Sequence, residues 1–305
     1  MSEAPLVSAV IPSADRPDLV VRAVRSALAQ THTRLEVVVV IDGPDRATRE
    51  AVAAIPDPRL RWIELEARSG PGAARNAGVS ESRGEWIAFL DDDDEWFPDR
   101  LSRQLETAGR MPGPNRVIVG RVVARSGRDQ AQAWPRRLPE SDEPLSEYLF
   151  ARRGARWGEA LIHTSTWLIE ADLARGLPFR RMWRHEDLDW LLRAERERGA
   201  RPVFVDGETP VAVWSVDSAR PRASAPGERA TWTDSMTWAR ENRELFTPRA
   251  YAAFLLVQVG ADARRCGDDG AFPALLREAV TNGRPRVRDL ALFAGIRVRP
   301  GRTGA

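Results

Sequence analysis

A chain of 305 residues, 43% hydrophobic and 30% charged, is long enough to bury a domain-sized core and too charged to be a low-complexity or membrane-embedded protein. All of its 46 basic residues are arginine and its net charge is only +2, so the pI of about 9.2 reflects near balance of acids with very basic guanidinium groups and is weak evidence for a nucleic-acid partner; none is expected. No apolar run is long enough to span a bilayer, the first residues lack the basic start of a signal peptide, and a single cysteine, Cys266, excludes an internal disulfide framework; a cytoplasmic location is expected.

In chain order, residues 6–11 read as a strand ended by Pro12-Ser13. Pro17 opens an amphipathic helix to about Gln30, with Leu19, Val20, Ala23, Val24, Ala27 and Leu28 at three- and four-residue spacing. Residues 35–41 form a second strand that stops at Asp42-Gly43-Pro44. A helix over 46–54, a strand over 60–65 and a helix opening at Gly70-Pro71-Gly72 follow. Residues 85–90 make a fourth strand, apolar enough to be covered on both faces. This alternation predicts right-handed βαβ units and a parallel sheet, an α/β fold. Beyond it the pattern predicts a helix from Pro98 to Arg110, one strand over 116–124, a polar mobile loop over 126–144, a short helix over 145–152 and one or two strands over 157–169. A helix over 185–198, short strands over 202–205 and 210–216 and a Pro/Ser/Arg-rich link over 218–227 come next. Residues 232–245, 248–264, 272–280 and 287–293 read as helices.

The fourth strand runs into Asp91-Asp92-Asp93-Asp94-Glu95-Trp96. Adjacent carboxylates cannot sit unpaired in a core, so they must lie where the strand leaves the sheet, the edge at which open α/β sheets bind ligands. Clustered acids call for a cation, and Mg2+ or Mn2+, which also hold phosphates, are the natural choice; a solvated acidic turn is the bland alternative. Pro12-Ser13, Asp42-Gly43 and Asp91 to Asp94 converge at that edge, and the helix start near Gly70, with Arg75 in its first turns, adds an anion-binding terminus. The absence of a Gly-x-Gly-x-x-Gly and of any lysine disfavours dinucleotide oxidoreductases and P-loop NTPases.

Six segments then agree in order and spacing: residues 7–13, Arg16-Pro17-Asp18-Leu19, residues 26–31, residues 36–43, Gly72 to Gly78, and Phe89 to Trp96. The chain resembles a family 2 glycosyltransferase of the inverting GT-A type, densely over residues 1–110, again at residues 164–168 and 184–193, and weakly beyond Val216. The resemblance implies a mostly parallel Rossmann-like sheet flanked by helices, with 1–110 binding a nucleotide-diphosphate sugar, 111–216 binding the acceptor and 217–305 forming a helical extension. It implies that Pro12, Ser13, Asp42, Arg75, Asp91 and Asp92 line the nucleotide, with Asp42 on a base, usually uracil. It places Asp93 on the metal and Asp187 as general base. Asp92 is expected to turn away from the metal. Asp94, Trp96, Glu186, His185 and Trp190 are weaker candidates for acceptor or sugar contacts, and Trp157 and Trp167 for stacking. Asp189 competes with Asp187, two residues on and on another helix face. Arg152, Arg153, Arg156, Arg180, Arg181 and Arg184 flank the acceptor half, as an anionic-acceptor surface or a solvated face. The acceptor is a glycan, a lipid-linked sugar or a small metabolite; peripheral membrane contact and a homodimer are compatible with the C-terminal helices. A nucleotidyltransferase on the same fold is the rival enzyme, but Ser13-Ala14-Asp15-Arg16 matches its Gly-rich basic loop poorly. A nucleotide-sugar-binding module without turnover is the non-catalytic rival.

Overall fold

The computed structural model describes residues 3–126, 129–154, 159–216 and 231–298. In chain order the elements are β1 (Val7–Ser13), α1 (Pro17–Leu28), β2 (Leu35–Ile41), α2 (Arg46–Ala53), β3 (Leu60–Glu64), α3 (Pro71–Glu81), β4 (Trp86–Phe89), β5 (Glu95–Trp96), α4 (Arg100–Gly109), β6 (Val117–Val119), β7 (Val122–Ser126) and β8 (Asp129–Trp134). There follow α5 (Leu145–Phe150), β9 (Leu168–Glu170), α6 (Ala171–Gly176), α7 (Glu186–Arg198), β10 (Pro202–Phe204), β11 (Ala212–Ser215), α8 (Trp232–Glu241), α9 (Pro248–Ala253), α10 (Gly260–Arg265), α11 (Ala271–Asn282) and α12 (Val287–Val298).

The chain divides into two compact units. The first comprises residues 1–136, 162–182 and 186–221; the second comprises residues 137–161, 183–185 and 222–305.

The first unit is built on a seven-stranded sheet in the order β10-β6-β9-β4-β1-β2-β3. It is parallel except for β9, which runs antiparallel to both β4 and β6. The expected run of parallel strands is therefore interrupted once. Strands β1, β2 and β4 are buried almost throughout, as their unbroken Val, Ile and Phe content requires for strands covered on both faces. Their register pairs Ser13 with Ile41 and Val10 with Phe89, so the three C-terminal ends open side by side at one edge. Helix α3 packs so closely on this centre that a Cβ at Gly78 would stand 2.3 Å from Val10 Cγ1 and 3.1 Å from Val40 Cγ2.

A second, four-stranded sheet, β5-β11-β7-β8, corrects several expectations. Residues 116–124 are not one strand: the chain leaves β6 of the large sheet, turns at Gly120 and enters β7 of the small one. Gly120 sits where a Cβ would be 2.4 Å from Val211 Cγ2, so only glycine lets the crossing backbone pass. Residues 129–134, expected within a mobile loop, are the antiparallel partner of β7, and the alternation of polar and apolar residues in Asp129-Gln130-Ala131-Gln132-Ala133-Trp134 is the strand signal there. The apolar stretch before Ile169 forms a 3-10 turn at Thr164–Thr166 and only three strand residues, while α6 and β5 carry no periodicity of their own. On α7, Leu191, Leu192 and Ala194 are buried and Leu188 is half-buried. Trp157, Arg156 and the link over 218–227 lie outside the described residues.

The second unit is helical. Helices α9 and α10 join through a π-helical segment, Phe254–Val259. Its core is aromatic, with Phe254 packing on Phe150, Trp238 and Phe246 at centroid distances of 5.0, 5.4 and 5.7 Å.

The α3 contact yields a stability test. Gly78→Ala overpacks the Val10 side chain, and the expected cost is about 1–3 kcal/mol, read as a lower urea midpoint at unchanged slope. An unchanged midpoint would show that α3 can shift off the sheet without cost.

Candidate active site

The site gathers at the strand edge of the first unit. After β2 the chain turns at Gly43 (φ +97°), and Asp42 is buried with its two carboxylate oxygens accepting the backbone N–H of Ser69 at 2.7 Å and of Gly70 at 2.9 Å. Gly70 (φ +91°) caps α3, so Asp42 fixes the start of the helix whose fifth residue is Arg75.

Arg75 is 3% exposed and donates from Nη2 to Asp91 Oδ1 at 2.7 Å and from Nη1 to Glu186 Oε1 at 2.9 Å. Its guanidinium carbon lies 5.6 Å from the Phe179 ring, and its Nε is buried without a hydrogen-bond partner. Burial opposes the arginine's charge, but Asp91 and Glu186 outweigh it and raise its pKa. Burial likewise works to raise the Asp91 carboxyl; Arg75, then His163 and Arg16, reverse this and hold Asp91 below the ordinary carboxylate range.

The four aspartates differ. Asp92 is buried, accepts from Ser13 Oγ at 2.8 Å and pairs with Arg16 Nη1 at 3.0 Å; burial pushes its pKa up to about 6 against the pull of Arg16. Asp93 is more open and meets the same Arg16 nitrogen at 3.1 Å. Asp94 is the most enclosed. It accepts from Ser165 Oγ at 2.5 Å and from the Ser215 backbone N–H at 3.0 Å, and it lies 3.5 Å from His163 Nδ1. Burial, then the charges of Asp91 and Asp93, raise its pKa well above the usual range. Ligand atoms of Asp91, Asp94 and His163 lie within 4.8 Å of one another. Two carboxylates and an imidazole converging, with burial and like charge disfavouring a negative Asp94, fit a divalent cation.

Asp187 stands in the first turn of α7, beside Glu186. Burial, then Glu186, push its pKa up to about 7, with Arg75 pulling the other way. Its Oδ1 accepts the Leu188 N–H at 2.8 Å. Asp189, the competing acid, is fully buried and bound to Arg193 Nε at 2.7 Å and Arg180 Nη1 at 3.2 Å.

The description of glycosyl transferase family 2 matches residues 8–175, more than half of the chain. The chain belongs to glycosyl transferase family 2. The succinoglycan biosynthesis protein ExoO of Rhizobium meliloti is 44% identical over 147 residues, 47% of this chain and 42% of ExoO. The amylovoran biosynthesis glycosyltransferase AmsB of Erwinia amylovora is 25% identical over 256 residues, 80% of this chain and 82% of AmsB. The chain spans about half the length of the first curated relatives it matches. Among solved structures, S. aureus TarS 1–349 in complex with UDP aligns with a TM-score of 0.62 at 15% identity, covering 96% of this chain and 90% of that one. The mannosyltransferase PcManGT of Pyrobaculum calidifontis, in complex with GDP-Man and Mn2+, aligns at 0.57 and 19% identity, covering 96% and 80%. These neighbours share the GT-A type fold.

Within this family 2 chain the structure brings Ser13, Arg75, Asp91 to Asp94 and Glu186 together through direct contacts, with Asp187 in electrostatic reach of Arg75 and Asp91. Pro12 is the half-exposed residue before Ser13. The aromatic candidates are enclosed instead. Trp96 lies under the Arg100 guanidinium, 3.8 Å from the ring centre, with Nε1 bonded to the Ser165 carbonyl at 2.9 Å. Trp190 bonds the Leu177 carbonyl, and Trp167 is fully buried. His185 belongs to the second unit, where it meets Ser235 Oγ at 2.8 Å and stacks on Trp238; burial depresses its pKa to about 3. Sequence reasoning gave no role to Arg16, His163, Ser165 or Ser215. Arg16 and Ser165 fall inside segments that carried the resemblance, the one signal that pointed to them; His163 lies just outside such a segment.

Proposed function

We propose that this chain is an inverting glycosyltransferase that moves a sugar from a nucleotide-diphosphate sugar to a glycan hydroxyl. The observation that carries the reading is the pairing, in one site, of a cation-seeking acid cluster and a separate acid, Asp187, whose pKa is pushed up to about 7. Direct displacement at an anomeric carbon needs a group that neutralises the departing diphosphate and a base at the attacking hydroxyl. UDP is the favoured nucleotide, in keeping with the UDP in TarS, and assembly of a polysaccharide is the favoured setting, in keeping with the names of ExoO and AmsB.

Asp91, Asp94 and His163 would hold the metal; the imidazole in the set favours Mn2+ over Mg2+, and Asp93, expected as the ligand from the sequence, faces Arg16. A bound cation supplies Lewis-acid stabilisation of the diphosphate. Asp42, held by the N–H groups of Ser69 and Gly70, and Ser13 border the nucleotide, and Arg75 sets Asp91 and Glu186 in place. The unprotonated Asp187 takes the acceptor hydroxyl proton; the hydroxyl oxygen forms the new bond to the anomeric carbon as that carbon's bond to the diphosphate oxygen breaks, its electron pair leaving with the diphosphate. A base with a pKa near 7 is matched to neutral conditions.

UDP release from a panel of UDP-sugars with Mn2+ tests the role of Asp187. Asp187→Asn is expected to lower kcat by about 10³-fold while nucleotide binding persists. In the wild type, log kcat/KM should rise with unit slope as pH increases and level off above about 7, because only the deprotonated carboxylate accepts a proton, and the Asn variant should lose that limb. Undiminished turnover in the variant would remove Asp187 as the base.

Calorimetric titration with Mn2+ tests the metal site without turnover. His163→Ala and Asp94→Asn should each weaken Mn2+ binding about tenfold or more, and Asp93→Asn should weaken it less. The reverse ranking would return the metal to Asp93.

A further inference from the structure

The outer faces of the last two helices are apolar where solvated helices carry charge. On α12, Val287 is 84% exposed, Val298 82% and Leu290 36%. With exposed Ala291 and Ala294 they recur at three- and four-residue spacing along one side. The inward side is filled separately by Phe293, packed on Phe272 at 5.1 Å. On α11, Val280 is 57% and Leu276 38% exposed.

The charges among these side chains have one sign. Arg277, Arg284, Arg286, Arg288 and Arg297 are interspersed with them, and the two acids are turned inward. Glu278 pairs with Arg240 at 2.5 Å and accepts from the Tyr251 hydroxyl at 2.8 Å; Asp289 is buried and accepts the Arg286 backbone N–H at 3.0 Å. From Ala271 to Ala305 there are seven arginines and two acids, a net +5 in a chain whose total is +2, leaving −3 on the first 270 residues. Arg286 and Arg288 also border an open groove with Arg152, Arg153 and Arg249.

We propose that this face of α11 and α12 docks the protein on an anionic phospholipid bilayer. Val280, Val287, Leu290 and Val298 enter the headgroup boundary, and the arginines between them meet lipid phosphates while their stems lie along the apolar surface. An acidic glycan would satisfy the arginines but leave the valines in water. A second copy meeting the same face by two-fold symmetry would set Arg277, Arg284, Arg286, Arg288 and Arg297 against arginines of the same sign. The inference goes beyond the transfer reaction, and its test reads membrane binding alone.

The test is co-sedimentation of the full chain with extruded vesicles of phosphatidylcholine, with and without phosphatidylglycerol. Binding is expected to the mixed vesicles, to fall with added salt and to be absent from the neutral ones. The double variant Arg286→Gln/Arg288→Gln should lower partition about 30-fold, at about fivefold per surface arginine. Val287→Asp/Val298→Asp should abolish binding while circular dichroism and the thermal midpoint stay at wild-type values, since both side chains are more than four-fifths exposed. Equal sedimentation with both vesicle types, no sedimentation, or retained binding by the Asp pair would overturn the proposal. So would light scattering that shows a dimer dissolved by Val287→Asp, which would assign the face to a second copy.

Discussion

The site depends on one buried guanidinium. Arg75 joins Asp91, just past the end of β4, to Glu186 at the start of α7, a residue 111 positions from Arg75 in sequence. A charge this deep is tolerated because two acids answer it, and Asp91 keeps its charge because Arg75 is there. The same ion cluster separates the roles of its neighbours. Asp91 is held ionised beside the arginine, whereas Asp94, enclosed with like charges, and Asp187, half-buried beside Glu186, are driven toward protonation. One constellation of carboxylates thereby provides both a place for a cation and a proton acceptor matched to neutral pH.

That arrangement rests on the sheet. Parallel β4, β1 and β2 bring their C-terminal ends to a common edge, and a chain leaving a strand there must turn at once. Gly43 and Gly70, both at positive φ, let Asp42 fold back to the start of α3, which in turn carries Arg75 inward. The acidic run cannot remain within β4, so it spreads over the edge, where Ser13 and Arg16 from the end of β1 and Ser165 from the turn before β9 divide its members among different partners.

The strands nearest the site were legible because each carries its burial in its own residues. The run Leu35-Glu36-Val37-Val38-Val39-Val40-Ile41 has the same limits in sequence and structure, since it is covered on both faces and stops at a turn. β9 and β5, three and two residues long, exist through partners far away in the chain, and β7 is separated from β6 by a backbone crossing at Gly120 that apolar content does not mark. In the site, acids at strand ends could be read because buried charge is costly. His163 could not: nothing local distinguishes it from a packed histidine until the antiparallel return of β9 brings its turn against Asp94. The enclosed Trp96 and Trp190 show the converse, since an aromatic residue beside the right acids is used for packing as readily as for sugar.

The central claim is a single displacement in which the Asp187 carboxylate deprotonates the incoming hydroxyl. The measurement that tests it most directly is the anomeric configuration of the sugar first formed from an α-linked UDP-sugar, followed by proton NMR at high enzyme concentration with water as the acceptor. The account predicts that the β anomer appears first and relaxes toward the equilibrium mixture. The α anomer appearing first would mean that the sugar passes through a second inversion or departs with retention, and would contradict a mechanism built on one base and one displacement.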